Sequence, residues 1–103
     1  MSTHLAAPDP FWPNGVSQPT PEVWKLWKKM FRDYVHLLTV LNPTVKIDEK
    51  DKIWLLRTFL GGMGQRYFDS LDLDDYILLS EAINELDKMW KAQTNVFVHR
   101  YHF

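Results

Sequence analysis

Residues 21–38 read PEVWKLWKKMFRDYVHLL, and they decide the fold. Trp24, Trp27, Phe31, Tyr34 and Leu38, continued by Leu41, recur at intervals of 3, 4, 3, 4 and 3. That rhythm places all six on one face of an α-helix. Thr20 is suited to cap this helix and Pro21 to occupy its first position. Asn42-Pro43 ends it, because proline offers no backbone N–H and pushes the preceding residue towards extended geometry. Val23, Leu26, Met30 and Leu37 widen the apolar stripe, which predicts a helix covered on two sides. Lys25, Lys28, Lys29 and Arg32 take the wet side.

Downstream, the polar stretch VKIDEKDK (45–52) contains a helix start at Asp48, with Glu49 and Asp51 favourable at the positive N-terminal end. Ile53, Leu56, Phe59 and Leu60 form the apolar face of this second helix, and Gly61-Gly62 is expected to stop it. Met63, Tyr67, Phe68 and Leu71 mark a short third helix, followed by a loop at DLDD (72–75). Tyr76, Leu79, Ile83, Leu86 and Trp90 mark a fourth. Asn95 is placed to cap a fifth, with Phe97 and Tyr101 on one side. Nothing reads as a strand of any length. The expected fold is therefore an all-α bundle of four to five helices over residues 21–103, with Trp24, Trp27, Phe31, Leu56, Phe59, Tyr67, Ile83 and Leu86 in its core.

Upstream, residues 1–20 form a different kind of segment. Pro8, Pro10, Pro13 and Pro19 forbid a helix there, yet Phe11 and Trp12 are large apolar groups that water does not favour. The reading is an extended, proline-rich arm with two aromatic anchors. A proline-stiffened strand with such anchors is what a hydrophobic groove recognises, so residues 8–13 are expected to dock in a groove of their own chain or of a neighbour.

Composition narrows the function. The chain has 103 residues, 46% hydrophobic, with five Trp and no Cys. One domain is the natural capacity of that length. Without cysteine there is no disulfide scaffold, no thiolate metal site and no Cys nucleophile, which fits a reducing compartment. No apolar run is long enough to span a membrane, and the N-terminus lacks the pattern of a signal peptide. His99 and His102 are three apart, but no third ligand accompanies them, so no metal is assigned. LGGMGQR (60–66) lacks the Lys-Ser/Thr ending of a phosphate loop and follows a helix. Asp69, Asp72, Asp74 and Asp75 lack the spacing of a calcium loop. No catalytic arrangement and no cofactor site emerge. The net charge is −1 and is uneven: bases dominate residues 21–47, acids dominate 48–89. Trp24 and Trp27 lie on the apolar face and do not interleave with the bases, which argues against nucleic-acid stacking.

The ordered series PEVWKLWKKMFRDYVHLL, KIWLLRTFLGGMGQRYFDSL, INELDKMW and NVFVHRYHF resembles the Gag polyprotein of Gypsy-type long-terminal-repeat retrotransposons. The matching positions are Trp24, Trp27, Phe31 and Tyr34; Leu55, Leu56, Leu60, Gly61, Gly64 and Tyr67; Leu86 and Trp90; and Asn95, Val96, Arg100, Tyr101 and Phe103. The likeness covers residues 21–103, and its specificity lies in the order of the elements. Trp90 stands where the family usually has Phe, and the proline often found in the next loop is missing. The resemblance implies the N-terminal lobe of a capsid, with a second lobe following Phe103. It implies self-assembly into a shell, a cytoplasmic location or one within virus-like particles, and no enzymatic activity. It also implies an alternative, the peptide-binding adaptor lobe of a domesticated Gag of the Arc kind, whose partners are short proline- and aromatic-containing peptides. For self-association the expected contacts are Lys25, Lys28, Lys29 and Arg32, meeting an acidic neighbour.

Overall fold

The computed structural model of the chain describes residues 7–91. Within them lie four helices, α1 (Pro21–Leu41), α2 (Glu49–Phe59), α3 (Gly61–Ser70) and α4 (Leu79–Trp90), and no strand. The chain is all-α over this range. Asn95, Phe97, Tyr101 and the His99–His102 pair lie outside the described residues.

α1 begins where its sequence dictates. The Thr20 hydroxyl accepts a hydrogen bond from the Val23 N–H at 3.3 Å, and Pro21 fills the first position. At the other end Asn42 closes the helix, its N–H bonding the Leu38 carbonyl. α2 is capped by Asp48, whose carboxylate accepts from the Asp51 N–H at 2.8 Å. α4 is capped across the fold. The Glu49 carboxylate on α2 accepts the Leu79 N–H at 2.9 Å, while Glu81 reaches back to the Leu78 N–H at 3.0 Å. Two acids thus satisfy amides that the helix start would leave orphaned.

Gly61 and Gly62 open α3 instead of trailing α2 as expected. Gly61 adopts φ +86°, which breaks the helical path between Leu60 and the next turn. No side chain caps α3. The carbonyl of Trp12 does so, accepting from the N–H groups of Met63 at 3.0 Å and Gly64 at 3.1 Å.

α4 packs against α1 and α2, and α3 packs against α2. The core at their meeting is mostly aromatic: Phe11, Trp12, Trp24, Trp27, Phe31, Phe68 and Trp90, filled in by Val35, Leu56, Leu60, Ala82, Ile83 and Leu86. Phe59 packs half-buried against it. Two expectations are corrected, Tyr67 as a core residue and Tyr76 as the start of the fourth helix. Tyr67 is 38% exposed, because its ring lies over Trp12 from the solvent side. Tyr76 is almost fully exposed, because α4 starts three residues later, at Leu79; an Asp74 carboxylate bonding the Tyr76 N–H holds the turn before it.

The second apolar stripe of α1 is also corrected. Val23, Leu26, Met30 and Leu37 are exposed, since no described element covers that side, and Leu41, at the end of the core face, is exposed as well. Periodicity reports that a face is apolar, not that a neighbour exists for it.

Gly61 and Gly15 both hold positive φ, +86° and +79°. A Cβ on Gly61 would lie 2.6 Å from the Trp12 carbonyl oxygen, whereas one on Gly15 would meet nothing within 4 Å. Gly15→Ala is expected to cost about 1–2 kcal/mol for its φ alone. Gly61→Ala adds overpacking and is expected to cost about 2–5 kcal/mol. Chemical denaturation of both variants checks this; equal losses would mean that the segment around Trp12 is not seated on α3.

Candidate interaction surfaces

Three features of the fold bear on function: the cleft that holds Phe11 and Trp12, the charged face of α1, and an acidic cleft beside α2.

The first is built from all sides. The Phe11 N–H donates to the Phe59 carbonyl at 3.0 Å and the Trp12 N–H to the Leu60 carbonyl at 2.8 Å. The Phe11 ring meets Trp24 edge-on at 5.1 Å, with Trp27 at 5.6 Å and Trp90 at 4.9 Å. Trp12 stacks on Tyr67 at 4.8 Å. Both anchors are buried, at 5% and 4% exposure, in their own chain. Such rings carry an energetic burden unless the indole N–H groups find acceptors. Trp27 Nε1 donates to the Asp9 carbonyl at 2.7 Å, and Trp12 Nε1 to the Val16 carbonyl at 2.8 Å. The segment therefore supplies both apolar rings and backbone acceptors to the core.

The second feature differs from the sequence expectation. Lys28 does not belong to the outer face of α1. Its Nζ lies 2.8 Å from Asp87 on α4, and the same carboxylate oxygen accepts the Trp24 indole N–H at 2.8 Å. Lys28 is one turn from Trp24 and Phe31, so helical geometry turns it inward. Burial raises the Asp87 carboxyl, but hydrogen bonds from Lys28 and Trp24, helped by the charges of Lys28 and Lys91, outweigh it and hold the group below its ordinary value. Lys25, Lys29 and Arg32 remain exposed and make no ion pair among the described residues.

The third feature is a cleft between α2 and the loop leading to α4. Ile53, Phe68 and Ile77 wall it, and Asp72, Asp74 and Asp75 stand at its rim. At its edge Arg57 grips Asp69 through two hydrogen bonds of 2.9 Å and lies 5.8 Å over the ring of Trp54, which is 66% exposed. The Arg57 hydrogen bond lowers the Asp69 carboxyl, but an exposed pair of this kind adds little stability.

The sequence reading missed Asp87 and the trans-acting Glu49 cap. Neither leaves a local signal: Asp87 is 59 residues from Lys28, and Glu49 is 30 from Leu79. Of the family-motif positions, Trp24, Trp27, Phe31, Leu56, Leu60, Leu86 and Trp90 converge in one core. Tyr34 is half-buried at 5.6 Å from Phe59. Tyr101 lies outside the described residues. Among the described residues there is no cluster of metal-binding side chains, and no helix is long and apolar enough to cross a membrane. No family model, curated protein or solved structure matches the chain.

The Asp87 network makes a pH prediction. Its folded pKa lies below the unfolded value of about 3.9, so its contribution is full above that pH and fades as pH falls through the folded value. Asp87→Asn is expected to lose about 1–2 kcal/mol at pH 7. The gap from the native chain should close as pH drops below about 4. Denaturation curves across pH 3–7 check it; a gap independent of pH would show that the charge of Asp87 is irrelevant.

Proposed function

We propose that this chain is the N-terminal lobe of a Gypsy-type retrotransposon Gag capsid, a structural unit that packs with copies of itself into a shell. The observation that carries the reading is the convergence of the ordered motif residues. Trp24, Trp27 and Phe31 from α1, Leu56 and Leu60 from α2 and its end, and Leu86 and Trp90 from α4 meet in one core. A series of residues that resembles Gag in order thus also acts as a physical unit. The outward surface is consistent with weak, repeated contacts: bases on α1 that make no ion pair among the described residues, an acidic cleft by α2 and exposed apolar side chains. Within this reading, residues 1–20 are the proline-rich arm of the lobe, and the protein acts in the cytoplasm or inside virus-like particles without enzymatic activity.

The adaptor reading, in which the lobe takes short proline- and aromatic-containing peptides, needs an open groove. The groove in this fold is filled by Phe11 and Trp12, held by four backbone hydrogen bonds at Phe59, Leu60, Met63 and Gly64. An outside peptide would first have to displace them. That favours the shell.

On the shell reading, the chain alone is a monomer or weak dimer at micromolar concentration. Its basic-to-acidic contacts weaken with salt, because the Debye length is only about 8 Å at physiological ionic strength. Electron microscopy of the longest native product containing this chain is expected to show closed particles or arrays of rings. Stable, salt-indifferent large oligomers of the chain alone would contradict the weak, salt-screened association; a native product that forms no assemblies while the chain binds a labelled Pro-Phe-Trp-Pro peptide tightly would reject the shell.

A further inference from the structure

The uncovered stripe of α1 has an internal order that points to its occupant. Val23, Leu26, Met30, Asp33, Leu37 and Val40 are separated by 3, 4, 3, 4 and 3 residues. These are the alternating core positions of a heptad repeat, sustained for nearly three heptads. All six are exposed, Leu26 at 62% and Val40 at 55%. The Ala7–Asp9 stretch borders the stripe beside Met30 and Tyr34 without covering it. On the opposite side α1 is already committed, with Trp24, Trp27, Phe31 and Val35 buried in the core. The helix therefore carries two separate apolar faces, of which the described residues cover one.

We propose that α1 is a homodimerisation helix whose stripe packs antiparallel against the same stripe of a second copy. The spacing of the stripe reads the same in both directions, and so do its residues apart from the central Met30 and Asp33. Reversed against itself, Val23 comes opposite Val40 of the partner copy, Leu26 opposite Leu37, and Met30 opposite Asp33. The contact is self-complementary, as a two-fold interface requires. Charge selects the direction. A parallel pair would set the two Asp33 carboxylates against each other inside the seam. The antiparallel pair sets each Asp33 within one residue of the level of Lys29 on the partner copy, on the same flank of the seam. Lys29 and Asp33 make no ion pair within their own chain among the described residues, so both are available. A polar residue at a single seam position fixes register while lowering affinity. A lone helix pair also lies at the small end of interface sizes, below about 1,200 Å² in total. The dimer is accordingly weak. The inference goes beyond the shell reading and rests on α1 alone; it holds or fails whether or not copies close into particles.

The chain has no cysteine, so introduced thiols report cleanly. Leu26→Cys and Leu37→Cys chains are mixed under mild oxidation at high concentration. In the antiparallel pair positions 26 and 37 are adjacent, whereas the two copies of position 26 are about 16 Å apart along the helix, far beyond the ~7 Å Cα separation a disulfide tolerates. The expected product is the mixed 26–37 disulfide, well above the yield of either chain alone and of a control pairing Leu26→Cys with Asn84→Cys. Sedimentation of the native chain should show a concentration-dependent dimer, weakened at least tenfold by Leu26→Asp with an unchanged thermal midpoint. Equal yields of 26–26 and 26–37 disulfides would overturn the antiparallel register. A native chain that stays monomeric at every concentration would overturn the proposal, whatever else covers the stripe.

Discussion

α3 cannot begin without an acceptor for its first amides, and its own sequence has none to give. Gly61, Gly62 and Gly64 bring no capping side chain, and Leu60 before them is apolar. Buried N–H groups without partners are costly. The Trp12 carbonyl meets that need from 49 residues upstream. To do so it must sit against Gly61, so closely that only a residue without Cβ fits there. Once that carbonyl is fixed, the rest follows: the Trp12 ring is pinned under Tyr67, Phe11 is pointed at the three indoles of Trp24, Trp27 and Trp90, and the Asp9 carbonyl is carried to Trp27.

An aromatic core of this kind has polar obligations that an aliphatic one lacks. Three of the buried indoles bring an N–H for which the chain supplies an acceptor, and it does so in two ways. Trp12 and Trp27 use carbonyls of the proline-rich segment, which has spare acceptors because it forms no helix. Trp24 uses Asp87, and a carboxylate at that depth calls in a cation, Lys28. The outcome reaches the surface. A lysine that would otherwise add to the positive face of α1 is spent inside, and the face is narrowed to Lys25, Lys29 and Arg32.

Much of this was legible in the sequence because it is local. Thr20, Pro21 and Asn42 mark the limits of α1, Asp48 marks the start of α2, and the 3–4 rhythm names Trp24, Trp27 and Phe31 as partners. The two glycines at 61 and 62 were legible as a break but not as the start of α3, since the direction depends on what lies against them, and that is Trp12. Tyr67 and Tyr76 share the helical rhythm of their neighbours, but rhythm does not say where the core's edge falls. The inward turn of Lys28 and the cap from Glu49 to Leu79 rest on partners far along the chain. The two faces of α1 look alike on a helical wheel; only the placement of α4 and the leading segment distinguishes the covered one.

The docking of Phe11 and Trp12 also sets an order of events during synthesis. These residues leave the ribosome well before Gly64 and Trp90, which complete their site. At translation rates of roughly 5–20 residues per second, Trp12 waits on the order of 4–16 s for Trp90. In that interval two large rings stand in water beside a half-made bundle. Contacts that join such distant parts of the chain also form late, because a long loop must close before they reward it. The site for the two rings is therefore complete only after α4 has been made, however fast the helices themselves form.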